Sequence, residues 1–121
     1  MAAKLLVVDD KPIVKRMLVA AALVHLEAEQ VIEAENGRQA LDILEGQDIG
    51  LVITDIEMPK ISGLEVIKAA KEKGIAVIAL SGKPLKYAEE AVRAGANAFL
   101  EKPLTGEVLT AVIGIIEKFN C

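Results

Sequence analysis

The sequence predicts an α/β fold in which a doubly wound, five-stranded parallel sheet is covered by helices on both faces. Three observations predict it. Short aliphatic runs alternate with helical patterns five times along the chain. The runs are continuously apolar instead of alternating with polar residues, which is the habit of strands buried on both sides by crossover helices. Finally, 121 residues with 53% apolar content suit one hydrophobic core and leave no room for a second, so residues 1–121 read as a single domain.

The strands are expected at Leu5–Val8, Val31–Ala34, Leu51–Thr54, Ala76–Leu80 and Ala98–Leu100. The first helix starts with Asp10 as its cap and Pro12 just inside, and Ile13, Met17, Ala20, Ala21 and Val24 follow at helical spacing. The second runs from Gly37 to Glu45, with Ala40, Leu41 and Leu44 on its stripe and Gly46 as a left-handed stop. The third, Gly63 to Lys73, carries Leu64, Ile67 and Ala70 and stops at Gly74; the fourth, Pro84 to Ala94, carries Ala88, Ala91 and Val92 and stops at Gly95. Thr105 caps the fifth helix, which has Glu107 in its first turn and Leu109, Val112, Ile113 and Ile116 on its buried side. No repeat, linker or low-complexity segment interrupts the pattern.

The formal net charge is −4 and the pI is near 5.0. That balance gives no attraction to nucleic acid or to anionic lipid, so protein partners are expected. Cys121 is the one cysteine, which allows no internal disulfide and fits a reducing, cytoplasmic setting. The apolar run at the N-terminus reaches Asp9 too soon to be a signal peptide or a membrane span.

Doubly wound sheets bind ligands outside the carboxyl ends of their strands. The first strand ends in Asp9-Asp10, the third in Asp55, the fourth in Ser81 and the fifth in Lys102-Pro103. Crowded carboxylates repel one another and are neutralised by burial unless a cation joins them. Carboxylates and water suit a hard divalent ion, magnesium or manganese. A carboxylate can attack phosphorus, and cations and donors then offset charge on the transferring group. Asp55 occupies the nucleophile's position, with the metal, the Lys102 ammonium and the Ser81 hydroxyl available to the phosphoryl oxygens. His25, on the first helix, reads as an ordinary, partly exposed histidine with nothing to pair with it as base or metal ligand, and Lys68, Lys71 and Lys73 as a solvated helix face.

Val7-Val8-Asp9-Asp10, Thr54-Asp55-Ile56-Glu57-Met58-Pro59, Ser81-Gly82 and Lys102-Pro103 together resemble the marks of two-component response-regulator receiver domains, single-domain chemotaxis-type regulators among them. Glu35-Asn36-Gly37, Gly63 and Gly95-Ala96 extend the resemblance over essentially the whole chain. It implies the flavodoxin-like (βα)5 receiver fold, a metal held by Asp9, Asp10, Asp55 and the Glu57 backbone carbonyl, and Asp55 as phosphoacceptor. It further implies Lys102 as the phosphate-contacting lysine, Ser81 as the switch hydroxyl, Phe99 as the aromatic switch and a cis Lys102-Pro103 bond. The donor implied is a sensor histidine kinase or a histidine phosphotransfer protein. The output surface implied comprises the fourth helix, fifth strand and fifth helix, with Lys86, Tyr87, Arg93 and Glu101 as candidates. Such a chain is a monomer that could dimerise on phosphorylation, and it catalyses only its own phosphoryl transfer and autodephosphorylation.

Two departures stand out. Ile61-Ser62 replaces the family's frequent Met-Asp, and Phe99 its common tyrosine, so burial instead of a hydroxyl must distinguish the states of that ring. Glu57 and Lys83 flank the route of water to Asp55, and an ion pair between them is expected to slow dephosphorylation. Rival readings are weaker. A phosphatase with an aspartyl nucleophile would have aspartate where Glu57 stands, and a flavin or nucleotide binder would place amides where Asp9-Asp10-Lys11-Pro12 places anions. A receiver-like scaffold that is never phosphorylated has no use for the complete set of side chains.

Overall fold

The computed structural model describes residues 3–120. Five parallel strands, β1 (Lys4–Val8), β2 (Val31–Ala34), β3 (Ile49–Asp55), β4 (Ala76–Ser81) and β5 (Ala98–Glu101), form one sheet in the order β2-β1-β3-β4-β5. Helices α1 (Pro12–Ala22), α2 (Gly37–Gly46), α3 (Gly63–Glu72), α4 (Pro84–Ala94) and α5 (Gly106–Asn120) connect and cover them. The doubly wound expectation holds. The chain reverses its direction of winding beside β1, so a crevice opens between the carboxyl ends of β1 and β3.

Alternation within the strands builds two cores. Leu5, Val7, Leu51, Ile53, Ile78 and Leu80 pack with Leu18, Ala21 and Ala22 of α1 and Val112 and Ile116 of α5. Leu6, Val8, Val52, Val77 and Ala79 point the other way, toward Ala40 and Leu44 of α2, Val66, Ile67 and Ala70 of α3, and Ala91 and Ala94 of α4. Continuous apolarity in the strands is therefore the sum of two opposite, fully buried faces.

The buried stripe of α1 is Val14, Leu18, Ala21 and Ala22, while Ile13 is 72% exposed and Ala20 and Val24 also face solvent. Val92 of α4 is 64% exposed. In both helices a small shift of phase is enough, because apolar residues also occur on the outer face. Lys11, not Asp10, is the N-cap residue of α1, and no side chain caps the helix; the Lys11 N–H itself donates to Asp9 Oδ1 at 2.9 Å. Gly46 is the last helical residue of α2 and is not left-handed; among the described residues only Gly74, Gly95 and Lys60 have positive φ. Strand β3 begins two residues earlier than expected, and a 3-10 turn at Ala28–Gln30, closed by reciprocal bonds between Glu27 and Gln30, lies where no element was read. Thr105 does cap α5, accepting from the Val108 N–H at 3.2 Å. Cys121 lies outside the described residues.

Two glycines permit close backbone approach. A Cβ on Gly63 would stand 2.0 Å from the Asp55 carbonyl oxygen, and one on Gly37 2.6 Å from the Ile61 side chain. Gly63 thus lets the start of α3 lie directly against the end of β3, with its N–H donating to the Ile56 carbonyl at 2.9 Å. Gly114, inside α5, has nothing within 4 Å of the equivalent position.

Opposite outcomes are expected for two alanine substitutions, read by the urea unfolding midpoint. Gly63→Ala forces backbone apart and lowers stability by about 1–3 kcal/mol. Gly114→Ala removes chain entropy from an unobstructed helix interior and raises stability by about 0.5–1 kcal/mol.

Candidate phosphoryl and metal site

The carboxyl ends of β1, β3, β4 and β5 bring together Asp9, Asp10, Asp55, Ser81 and Lys102. Asp9, Asp55 and Ser81 are fully buried. Each of Asp9, Asp10 and Asp55 offers an oxygen within 4.8 Å of those of the other two, as a shared cation requires. The Lys102 ammonium lies 3.1 Å from Asp9 Oδ2 and 3.2 Å from Asp55 Oδ1, with only 14% of its side chain exposed. The Lys102 N–H donates to the Ser81 carbonyl at 2.9 Å, which fixes the lysine's backbone beside the fourth strand. The Lys102-Pro103 peptide bond is cis.

One ammonium does not balance three carboxylates. Burial, opposed by Lys102 and reinforced by Asp9 and Glu57, pushes the Asp55 carboxyl up from 3.8 to about 6. Burial alone would lower the Lys102 ammonium, but the neighbouring Asp55 and Asp9 carboxylates outweigh it and hold it above its ordinary value. Asp10 Oδ1 and both carboxylate oxygens of Asp55 are buried and accept no hydrogen bond. Asp55 Oδ1 has the Lys102 ammonium at 3.2 Å and Asp10 Oδ1 the Lys11 ammonium at 3.6 Å, so among the described residues Asp55 Oδ2 alone of the three has neither a hydrogen bond nor an ion pair. Three clustered carboxylates with unfilled oxygens are the donor set a hard divalent cation takes, so the residues fit magnesium.

Glu57 departs from expectation. Its carboxylate accepts the Ser81 hydroxyl, and among the described residues it forms no ion pair with Lys83. Lys83 instead contributes its backbone N–H, donated to Ser81 Oγ at 2.9 Å. The expected pair fails because the serine, buried at the end of β4, is the nearer donor. Glu57, Lys102, Gly82, Lys11, Val14 and Met17 are among the residues around a cleft of about 590 Å³ beside the acids.

Phe99 is partly buried and packs with Tyr87 against the α2–α3–α4 core. Lys86 places its ammonium 5.1 Å from the centre of the Tyr87 ring, whereas Arg93 pairs with Glu89 within α4. Glu101 is exposed at the end of β5. Lys86, Tyr87 and Arg93 stand on α4 and Glu101 ends β5, where it pairs in register with Ser81. His25 lies in the turn after α1, not on the helix as expected, with its Nε2 3.4 Å from Glu117 Oε2 of α5.

The raised Asp55 carboxyl fixes the sign of one pH effect. Its folded value exceeds its unfolded one, so the folded state binds more protons between 3.8 and about 6, and stability falls as pH rises through that window. Without divalent ions, Asp55→Asn is expected to exceed wild type in thermal stability at pH 7.5 by about 1–3 kcal/mol, a gap that closes toward pH 4. Magnesium at millimolar concentration should raise the melting temperature of wild type and reduce the gap.

Residues 5–114 match the response regulator receiver domain family. A chemotaxis protein CheY homolog of Campylobacter jejuni is 34% identical over 113 residues, covering 88% of this chain and 85% of that protein. Chemotaxis protein CheY1 of Helicobacter pylori is 34% identical over 120 residues, covering 93% and 95%. The solved chemotaxis response regulator CheY4 of Vibrio cholerae superposes with a TM-score of 0.80 at 27% identity, covering 96% of this chain and 99% of that one. No described helix is long and apolar enough to cross a membrane. Sheet order, strand-end acids, lysine and family match agree, and the chain belongs to the response regulator receiver family of two-component signalling.

Proposed function

We propose that this chain is a cytoplasmic, single-domain, phosphorylation-dependent switch in which Asp55 accepts a phosphoryl group from the phosphohistidine of a sensor kinase or phosphotransfer protein. The observation that carries it is the buried Asp55 carboxylate, which accepts no hydrogen bond, clusters with Asp9 and Asp10 within 4.8 Å and has the Lys102 ammonium 3.2 Å from its Oδ1.

Asp55 attacks phosphorus with a carboxylate oxygen as the bond from phosphorus to the donor imidazole breaks, its electron pair returning to the ring. Asp9, Asp10, Asp55 and the Glu57 backbone carbonyl would hold magnesium, which when bound lowers the charge on one phosphoryl oxygen. Lys102 takes a second oxygen, a short move for an ammonium already 3.2 Å from Asp55 Oδ1. The Ser81 hydroxyl takes a third. Its motion and that of Phe99 carry the change to α4, β5 and α5, where Lys86, Tyr87, Arg93 and Glu101 meet an output partner. Glu57 and Lys83, on opposite sides of Ser81, set how fast water removes the phosphoryl group. The free protein is read as a monomer, and the switch as its own only substrate.

Incubation with acetyl phosphate and magnesium, followed by intact mass measurement, is expected to show one added phosphoryl group on wild type. Asp55→Asn and chelation of magnesium should each abolish it. Lys102→Ala should leave Asp55 modifiable but slow the reaction by about 10–1000-fold, as loss of a positioned charge-stabilising group does. Unmodified wild type would leave a receiver-like scaffold. Dephosphorylation rates of Glu57→Ala and Lys83→Ala should differ from wild type, and unchanged rates in both would remove them as modulators.

A further inference from the structure

We propose that Glu57 latches the switch: before phosphorylation its carboxylate holds the one proton that Ser81 can donate, and the phosphoryl group must compete for it. The inference rests on Asp55 as phosphoacceptor and adds what opposes the response. Ser81 is fully buried, and its hydroxyl both donates and accepts a hydrogen bond. The oxygen accepts the Lys83 N–H at 2.9 Å and the proton goes to Glu57. A hydroxyl has a single proton, so it cannot serve Glu57 and a phosphoryl oxygen together.

The backbone holds the latch in place. The Ile56 N–H donates to the Leu80 carbonyl at 3.0 Å, tying the residue before Glu57 to the residue before Ser81. The Met58 N–H turns back to the Ile56 carbonyl at 3.1 Å, so Glu57 sits at the tip of a tight turn beside the end of β4. A hydroxyl bonded to a carboxylate is charge-assisted and roughly twice as strong as a neutral bond. The phosphoryl group is also its natural opener. Negative charge arriving at Asp55 repels the Glu57 carboxylate and offers Ser81 another anionic acceptor, so the bond is exchanged and not merely lost. Glu57 thereby biases the resting population toward the unswitched state without touching the phosphoryl group.

A double-mutant cycle tests this with beryllofluoride and magnesium as the phosphoryl mimic, binding being followed by amide NMR on wild type, Glu57→Ala, Ser81→Ala and the double variant. Glu57→Ala is expected to tighten beryllofluoride about tenfold when Ser81 is present and to change it less than about twofold in the Ser81→Ala background. Equal tightening in both backgrounds would mean that Glu57 acts by its charge alone and would overturn the latch. The unliganded protein gives an independent readout: freeing the hydroxyl should change the Ser81 χ1 couplings and the Lys83 amide shift in Glu57→Ala, with Glu57→Gln between it and wild type. Unchanged signals there would also overturn it. Failure of wild type to bind beryllofluoride at all would instead count against Asp55 as phosphoacceptor, and the couplings would still decide whether Glu57 holds Ser81.

Discussion

The ion pairing of Lys102 with Asp9 and Asp55 is the interaction on which this edge of the protein depends. Two fully buried carboxylates and a third close by form a concentration of negative charge that a folded chain tolerates only with compensation. Lys102 supplies part of it. The remainder appears as the raised Asp55 carboxyl and as buried oxygens on Asp10 and Asp55 that accept no hydrogen bond. The same deficit that makes the resting site costly makes it receptive, since a divalent cation or a better-placed ammonium lowers its energy. Stability at this edge is given up so that an added ligand has something to correct.

That arrangement needs a rigid frame, and the two cores provide it. Each of β1, β3 and β4 is anchored by side chains buried on both faces, so the strand ends cannot spread to relieve the repulsion. Gly63 brings α3 against the backbone of Asp55, and the Lys102 N–H to the Ser81 carbonyl binds the fifth strand's end to the fourth's. The acids are held close by packing far from them and by a few backbone bonds near them.

The sequence reading reached the sheet, the helices and every charged group of the site, because those rest on strong signals. Aliphatic runs report two-faced burial, and residues at strand ends must converge at one edge once the strands are parallel. It missed where signals were locally degenerate. Around α1, Ile13 and Val24, the latter beyond the helix's end at Ala22, are as apolar as Val14 and Leu18, so periodicity alone could not choose which side faces the sheet. Asp10 has the composition of a cap, yet the helix starts one residue later at Pro12, with Lys11 in the cap position and no side-chain cap bond. Gly46 is as good a stop by composition as Gly74, yet Gln47 leaves α2 directly in an extended conformation. The partner of Glu57 was out of reach for a different reason. Lys83 is the obvious electrostatic partner, but a buried hydroxyl with one lone pair already occupied by an amide is the stricter demand, and hydrogen-bond satisfaction prevailed over charge.

The two groups proposed to meet the phosphoryl group differ in how they are held, and the difference gives them different tasks. Lys102 has three protons and two carboxylates beside it, so it can turn toward a new oxygen while keeping an old one, and its response to ligand is graded. Ser81 has one proton and one acceptor for it, so its response is all or none. A graded group suits stabilising charge as it develops. A discrete one suits reporting that the charge has arrived, since a two-state element is what couples one end of a sheet to a distant surface. The hydroxyl's position at the end of β4, immediately before α4, places that discrete choice at the root of the helix on the proposed output face.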